Sequence, residues 1–357
     1  MLIKNLFFKL IFVPVLLLNG FAQFSPEFQN EISGFVFDNS SGKPLEYVNL
    51  YISNTTIGAS TDRNGYYKIR SIPPGLQELI IAIVGYKYET KKIWIKEDSK
   101  LKFNFKLIPE VYETSAIEVE AERPEHWLNE LEKFRKKFFG NSEFSKQCKI
   151  LNPEIIEFDR KSFALLTAKT KQPLIIENNA LGFKIECLLL DFYWDNGIQR
   201  WGWEIKPHFS KLASQNNKDL KKWEINQKKA YDGSLYHFLN SLVKRNLLID
   251  GFNVYFVDYA GDKVPRIDFR QTLVEYDSLL TKSEIADEYL FKFGKVLMIV
   301  YNNIEYSWLK LRFPEIILEK QGYPQTPNPF EVYGHWAESG VADLLPKYFN
   351  REEVDNY

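Results

Sequence analysis

The sequence predicts a mainly β protein with α+β content: a Greek-key β-sandwich at the N-terminal end, followed by an α+β domain. Three observations carry that expectation. Apolar and polar residues alternate at period two, in short runs broken by turns, from Glu31 to Leu107. The first apolar stripe at helical spacing comes only at Trp127, Leu128, Leu131, Phe134 and Phe138. Beyond it, strand-like and helical runs mix without the regular alternation of a parallel sheet and its crossover helices.

Residues 1–22 start with Lys4 and Lys9, run through the apolar "LIFVPVLLLNGFA" and end in small residues at Gly20 and Ala22. This is the pattern of a secretory signal peptide cleaved after Ala22, since the uninterrupted apolar run is shorter than the ~20 residues of a spanning helix. No Cys stands at that point, so a lipid anchor is not expected. The remaining ~335 residues exceed what one hydrophobic core usually organises, so two domains are expected. Nothing later is apolar enough to span a membrane. With 46 basic and 47 acidic residues spread along the chain, the net charge is −1, which argues against a nucleic-acid partner.

The sandwich is expected over residues 24–108. "ISGFVFD" gives way to a turn at "NSSGKP", and "YVNLYIS" then sets Val48, Leu50 and Ile52 on one face. "LIIAIVGY" is continuous enough for a central strand, with Gly85 at a bend. "LKFNFKL" sets Leu101, Phe103, Phe105 and Leu107 opposite Lys102, Asn104 and Lys106. Between them, Asp62, Asn64 and Gly65 in "STDRNGYYKIRSIPPG" are spaced like the opening of a calcium loop. Such a loop ends in a bidentate Glu at position twelve, where this chain has Pro73, and "YYKIRSI" carries no carboxylate. "DRNG" therefore reads as a hairpin turn, with Asn64 and Gly65 supplying positive φ.

A linker at 109–121 leads to the α+β domain at 122–350. Its first helix begins at Pro124, carries Glu125 in the first turn and Lys136 and Lys137 in the last, and stops at Gly140. "PLIIEN", "FKIECLLLDFYW" and "QRWGWEI" read as strands, the last two joined through Asp195-Asn196-Gly197. "DGSLYHFLNSLVKRNLLIDG" reads as a helix capped by Ser234 and ended at Asp250-Gly251. "FNVYFVD", "KVLMIVY" and "IEYSWLKLRF" are further strands, the last pair turning at Asn302-Asn303. "HWAESGVADLLP" suggests a short helix stopped by Pro346. Cys148, in an expected loop, and Cys187, in an apolar run, are the only cysteines. An exported chain permits their pairing, but the apolar run around Cys187 favours a free buried thiol that packs as a small hydrophobe.

From the Gly34-to-Val36 strand through "SGKPL", "TDRNGYY", "IPPG" and "VGY", residues 31 to about 107 resemble a carboxypeptidase regulatory-like domain, the transthyretin-like seven-stranded sandwich. The resemblance implies an accessory module and brings no active site with it. "CKILNPEIIEF", "KAYDGSLYHFLNSLV" and "GHWAESGVADLLPKYF" resemble exported Bacteroidota-type proteins in which that sandwich precedes an uncharacterised domain. That likeness implies no activity.

Candidate sites are few. His335 and Glu338 match the first two ligands of a metallocarboxypeptidase zinc site, but no His follows them, and His126, His208 and His237 are isolated in sequence. Ser234 and His237 share a helix face, without the elbow that a nucleophilic serine needs. Asp191 and Asp195 are paired carboxylates that could flank a sugar, but a solvated hairpin face is the expectation, since Asp beside Asn-Gly is ordinary turn chemistry. Trp194, Trp201 and Trp203, with Tyr193, could stack on a glycan or a protein partner as a tentative ligand surface. Core packing is the more common fate of such residues. No catalytic residue, metal or cofactor is assigned. The expected protein is an exported, non-catalytic binding or assembly component of the cell envelope, periplasmic or associated with the outer membrane. The alternative is an envelope hydrolase of peptide or glycan whose site no linear motif reveals. A receptor with a plugged barrel of ~22 strands does not fit in the remaining length.

Overall fold

The computed structural model describes residues 28–110, 124–214, 216–257, 271–294 and 296–351. The expected signal peptide and most of the expected linker lie outside these residues. The chain is mainly β, with few helices.

The N-terminal part is a sandwich of β1 (Glu31–Asp38), β2 (Asn49–Ile52), β3 (Gly58–Ser60), β4 (Tyr66–Arg70), β5 (Gly75–Ala82), β6 (Glu89–Ile95), β7 (Lys100–Lys102) and β8 (Phe105–Leu107). One sheet has the order β4-β1-β7 with β8 also on β1, and the other has the order β3-β2-β5-β6. β7 and β8 both run parallel to β1 at successive registers, so together they form one interrupted seventh strand. The interruption follows from close approach. A Cβ on Gly34 would lie 1.8 Å from the Phe103 carbonyl oxygen. That oxygen accepts from the Tyr67 hydroxyl at 2.9 Å, and Asn104 Oδ1 accepts from the Phe35 amide at 2.9 Å. Between the sheets, Ile32, Val36, Leu50, Ile69, Leu79, Ile81 and Leu107 are among the core residues, each almost wholly buried.

"DRNG" is a turn, but not a hairpin between paired strands. Asp62 Oδ1 accepts from the amides of Asn64 (2.8 Å) and Tyr66 (3.0 Å), which commits that carboxylate oxygen to the backbone. Only Gly65 has positive φ, at 73°. The turn hands the chain from β3 in one sheet to β4 in the other.

The rest of the chain contains α1 (Glu125–Phe139), β9 (Cys148–Ile150), β10 (Glu157–Arg160), β11 (Leu165–Lys169), β12 (Leu174–Asn178), β13 (Phe183–Asp195), β14 (Arg200–Lys211), α2 (Asn217–Tyr231) and α3 (Leu235–Lys244). β15 (Phe252–Val257), β16 (Gln271–Leu273), β17 (Leu280–Lys282), β18 (Glu288–Phe291), β19 (Val296–Tyr301), β20 (Glu305–Leu311), β21 (Ile316–Glu319) and β22 (Phe330–Gly334) follow. Among the described residues two large cores organise them, with a smaller cluster at Val257, Val296, Met298, Val300 and Trp308. A six-stranded sheet, β10-β11-β13-β12-β9 with β14 on the other edge of β13, packs its apolar face against α1. The sheets β16-β15-β19-β20-β22 and β17-β18-β21 pack around α3.

Several expectations are corrected. α3 begins at Ser234, whose side chain accepts from the His237 amide, but it ends at Lys244 because Arg245 takes a left-handed conformation. "HWAESGVADLL" forms two 3-10 turns, His335–Glu338 and Val341–Asp343, rather than a helix. The Asn141 amide binds the Glu338 carbonyl at 2.8 Å, which pins the segment to the end of α1. Cys148 opens a strand. Leu128 is half exposed while Phe139 is buried. α2, rich in Lys and poor in apolar residues, has no strong stripe to announce it. Its signal is Asn216, which accepts from the Asp219 amide as an N-cap. The Asn302-Asn303 turn forms as expected, both residues at positive φ.

The sandwich docks on the six-stranded sheet through backbone as well as side chains. The Asn54 amide donates to the Pro207 carbonyl (2.7 Å), and the Phe209 amide donates to the Thr55 carbonyl (2.9 Å). The Lys206 ammonium pairs with Glu78 at 2.8 Å. Tyr51, Ile80, Ala82 and Leu188 form an apolar cluster at this contact. The C-terminal segment ties in as well, with the Lys347 amide on the Asn54 carbonyl at 2.5 Å and Gln77 on the Tyr348 hydroxyl at 2.9 Å.

Candidate functional site

The surface around α1 gathers the tryptophans that the sequence singled out. α1 starts after extended Pro124 and ends at Gly140, φ 78°. Its inner face carries Phe134 and Phe138, fully buried and stacked with centroids 4.6 Å apart, and Phe134 meets Phe192 edge-on at 4.7 Å. Phe192 reaches this face because β13 has a bulge. Its register with β14 shifts between Leu189 and Asp191, which adds Leu190 and reverses the alternation. Ile185, Cys187 and Leu189 point into the core before the bulge, and Phe192 and Trp194 point there after it.

The cross-strand partners complete the face. Trp201 lies opposite Trp194, and Trp203 lies opposite Phe192. All three tryptophans are half-buried. Trp203 packs edge-on against Phe138 at 6.1 Å. Lys137, from the last turn of α1, sets its ammonium 4.0 Å from the Trp201 ring centroid and 5.7 Å from that of Trp194. Burial holds the Lys137 amine below its ordinary value. Tyr193 separates from the group, since it lies over Gly202 on the opposite face, where a Cβ would come 2.8 Å from its ring. Lys137 is the functional candidate that linear reading misses. Its pairing with Trp201 depends on the β13–β14 register, and no local pattern encodes it.

The hairpin tip beyond the tryptophans is apolar at its apex. Asp195 Oδ1 accepts from the amides of Gly197 (2.9 Å) and Ile198 (3.3 Å), so this carboxylate oxygen shapes the turn, and exposed Asp191 sits at the bulge. Ile198 is 63% exposed, and Phe163 in the neighbouring turn is 97% exposed. The Asn196 amide ties the two turns through the Ala164 carbonyl at 2.9 Å. On the other flank of α1, an open groove of about 600 Å³ has Leu131 and Phe139 with Arg135, Lys136, Lys146 and Glu132 in its lining. Among the described residues those three cations have no ion pair, so the groove favours an anion.

The catalytic candidates resolve into local structure. Ser234 Oγ faces the His237 amide at 3.0 Å, not its ring. His237 Nδ1 accepts from the Gly233 amide at 3.1 Å, so the lone pair that a general base would use is already engaged. Its Nε2 lies 4.0 Å from Asp250, and burial holds the ring below its ordinary value. His335 is exposed, with Nε2 3.5 Å from Glu305, and His126 is exposed on α1. Among the described residues no group of three His, Cys, Asp or Glu is placed to hold a metal ion. Cys148 and Cys187 are free and buried in the core beneath α1, and burial pushes both thiols up to about 12. No helix among the described residues is long and apolar enough to cross a membrane.

Residues 32–119 match the CarboxypepD_reg-like domain family. Solved structures that match parts of the chain include a type II cohesin–X-dockerin complex from Acetivibrio cellulolyticus, 23% identical over 21% of this chain and 52% of that one, TM-score 0.19. The chain thus spans about half the length of that relative. A DUF3823 family protein from Bacteroides uniformis is 9% identical over 52% of this chain and 100% of its own, TM-score 0.17. The major pilin subunit of Bacillus cereus is 7% identical over 87% of this chain and 97% of its own, TM-score 0.20. No curated protein matches the chain in sequence.

Proposed function

We propose that the chain is an exported, non-catalytic binding or assembly protein of the cell envelope, with a signal peptide at 1–22, an accessory sandwich at 24–108 and a binding domain at 122–350. Its binding surface is the Trp194–Trp201 pair with Lys137. The observation that carries this reading is the cation set on two half-buried indoles beside an exposed apolar tip. Indole faces stack on sugar rings, and the ammonium set over the Trp201 ring binds a carboxylate. The ligand class that suits both is an acidic glycan.

Retention of the full chain on immobilised uronic-acid polysaccharide, against a neutral polysaccharide of similar length, tests this. Trp201→Ala and Lys137→Ala should each abolish retention and leave the melting temperature within a few degrees. Equal retention on both matrices, or unchanged retention by either variant, would sink the assignment.

A further inference from the structure

The docking of the sandwich buries a histidine that the tryptophan surface does not use. His208 lies in β14 between Pro207 and Phe209, the two residues that pair with Asn54 and Thr55 of the sandwich. Its ring stacks on Tyr51, centroids 4.9 Å apart and planes 24° apart. Its Nε2 is shut off from solvent and has no hydrogen-bond partner among the described residues. Gly58 makes room for that atom, since a Cβ there would come within 3.0 Å of it.

The charged and titratable groups around the ring come from four elements. On β13, Glu186 is the cross-strand partner of His208, and it is held by Lys184 at 2.6 Å. On β14, Lys206 pairs with Glu78 of β5, and its carbonyl accepts from the Tyr51 hydroxyl of β2 at 3.0 Å. Beyond them, Lys347 of the C-terminal segment pairs with Glu319. Burial, helped by the Lys184 charge, holds His208 below its ordinary value, against the opposing pull of Glu186 and of a hydrogen bond to the Thr56 backbone. A second proton on this ring would be a buried charge that the Thr56 backbone and the Glu186 carboxylate offset only in part, which is costly where it is made.

We propose that His208 is an acid-sensitive latch, whose protonation releases the sandwich from the six-stranded sheet while both parts stay folded. Release uncovers the apolar cluster of Tyr51, Ile80, Ala82 and Leu188 and frees the β14 edge at Pro207–Phe209 for another strand. The direction follows from linkage. The docked ring prefers its neutral form, so docking is complete above the undocked value near ~6.5. It weakens by up to about tenfold per pH unit as pH falls toward the docked value. Glu319, whose carboxyl burial pushes up, works in the opposite sense and does not produce this trend.

An Ala82→Cys thiol in the full chain reports undocking, because Ala82 is buried at the contact. Cys148 and Cys187 report whether the second part stays folded. Labelling with dithiodipyridine, which reacts at low pH, is followed from pH 7.5 to 4.5. The new thiol should label faster as pH falls below ~6.5, by up to about tenfold per unit, while the two native thiols stay protected. In His208→Phe, which keeps the stack and cannot take a proton, the rate should be flat over the same range. Equal pH dependence in both backgrounds, or native thiols that label in step with the new one, would overturn the latch.

Discussion

Excising the sandwich measures how far it stands alone. The fragment should end at Glu110 rather than Leu107, because the Lys87 amide binds the Ile108 carbonyl (2.9 Å) and the Glu110 amide binds the Gly85 carbonyl (2.8 Å). Its own core, from Ile32 to Leu107, is complete within the fragment. What the cut removes is the docking contact, where Tyr51 and Ile80 are 4% and 0% exposed. At about 1.5–3 kcal/mol for each large apolar side chain, exposing those two forfeits about 3–6 kcal/mol. For a domain of this size that corresponds to a fall in Tm of about 12–48 °C relative to the docked sandwich. Residues 24–110 should therefore melt cooperatively in calorimetry, at a lower temperature than the sandwich within the full chain, and should self-associate through the bared face. Ile80→Thr, which keeps a β-branched shape, should suppress the association. Absence of a cooperative transition in both fragments would refute the claim that the core is self-sufficient. A fragment as stable as the docked sandwich would refute the claim that docking contributes.

Four further outcomes are expected. Trp203→Ala, against Phe138, should cost about 3 kcal/mol or more in denaturant unfolding, whereas Trp201→Ala, under Lys137, should cost less than about half of that; equal costs would contradict the division of the pair. Gly34→Ala places a Cβ on the Phe103 carbonyl and should destabilise the sandwich by about 3 kcal/mol or more, so a neutral result would mean that β8 can shift. Cys148 and Cys187, with thiols pushed up to about 12, should react with a thiol reagent at pH 8 only after denaturation; fast native labelling would contradict their burial. Protein purified without chelator should carry no stoichiometric zinc and release no C-terminal residue from peptides, because His335 and Glu338 lack the third protein ligand of a catalytic site. One zinc per chain, lost on His335→Ala together with such hydrolysis, would overturn the non-catalytic reading.

The period-two runs of residues 31–107, the Ser234 cap and the Asn302-Asn303 turn follow from local chemistry, because burial on one sheet face, amide capping and positive φ each act within a few residues. They are legible without any tertiary contact. The surface around Trp201 is not. "IECLLLDFYW" reads as one alternating strand, and strict alternation would send Phe192 and Trp194 to the face opposite Leu189. The extra residue at Leu190 reverses this, and only pairing with β14 reveals it. His208 is the same kind of case. In sequence it is an isolated histidine, and its burial depends on Tyr51 and Gly58, brought to it from about 150 residues away. The sequence determined which segments become strands, caps and turns, since those choices are settled by near neighbours. Which faces meet, and which titratable groups lose water as they do, was decided by strand register and by docking between distant parts of the chain, whose energies come from surfaces that no local window contains.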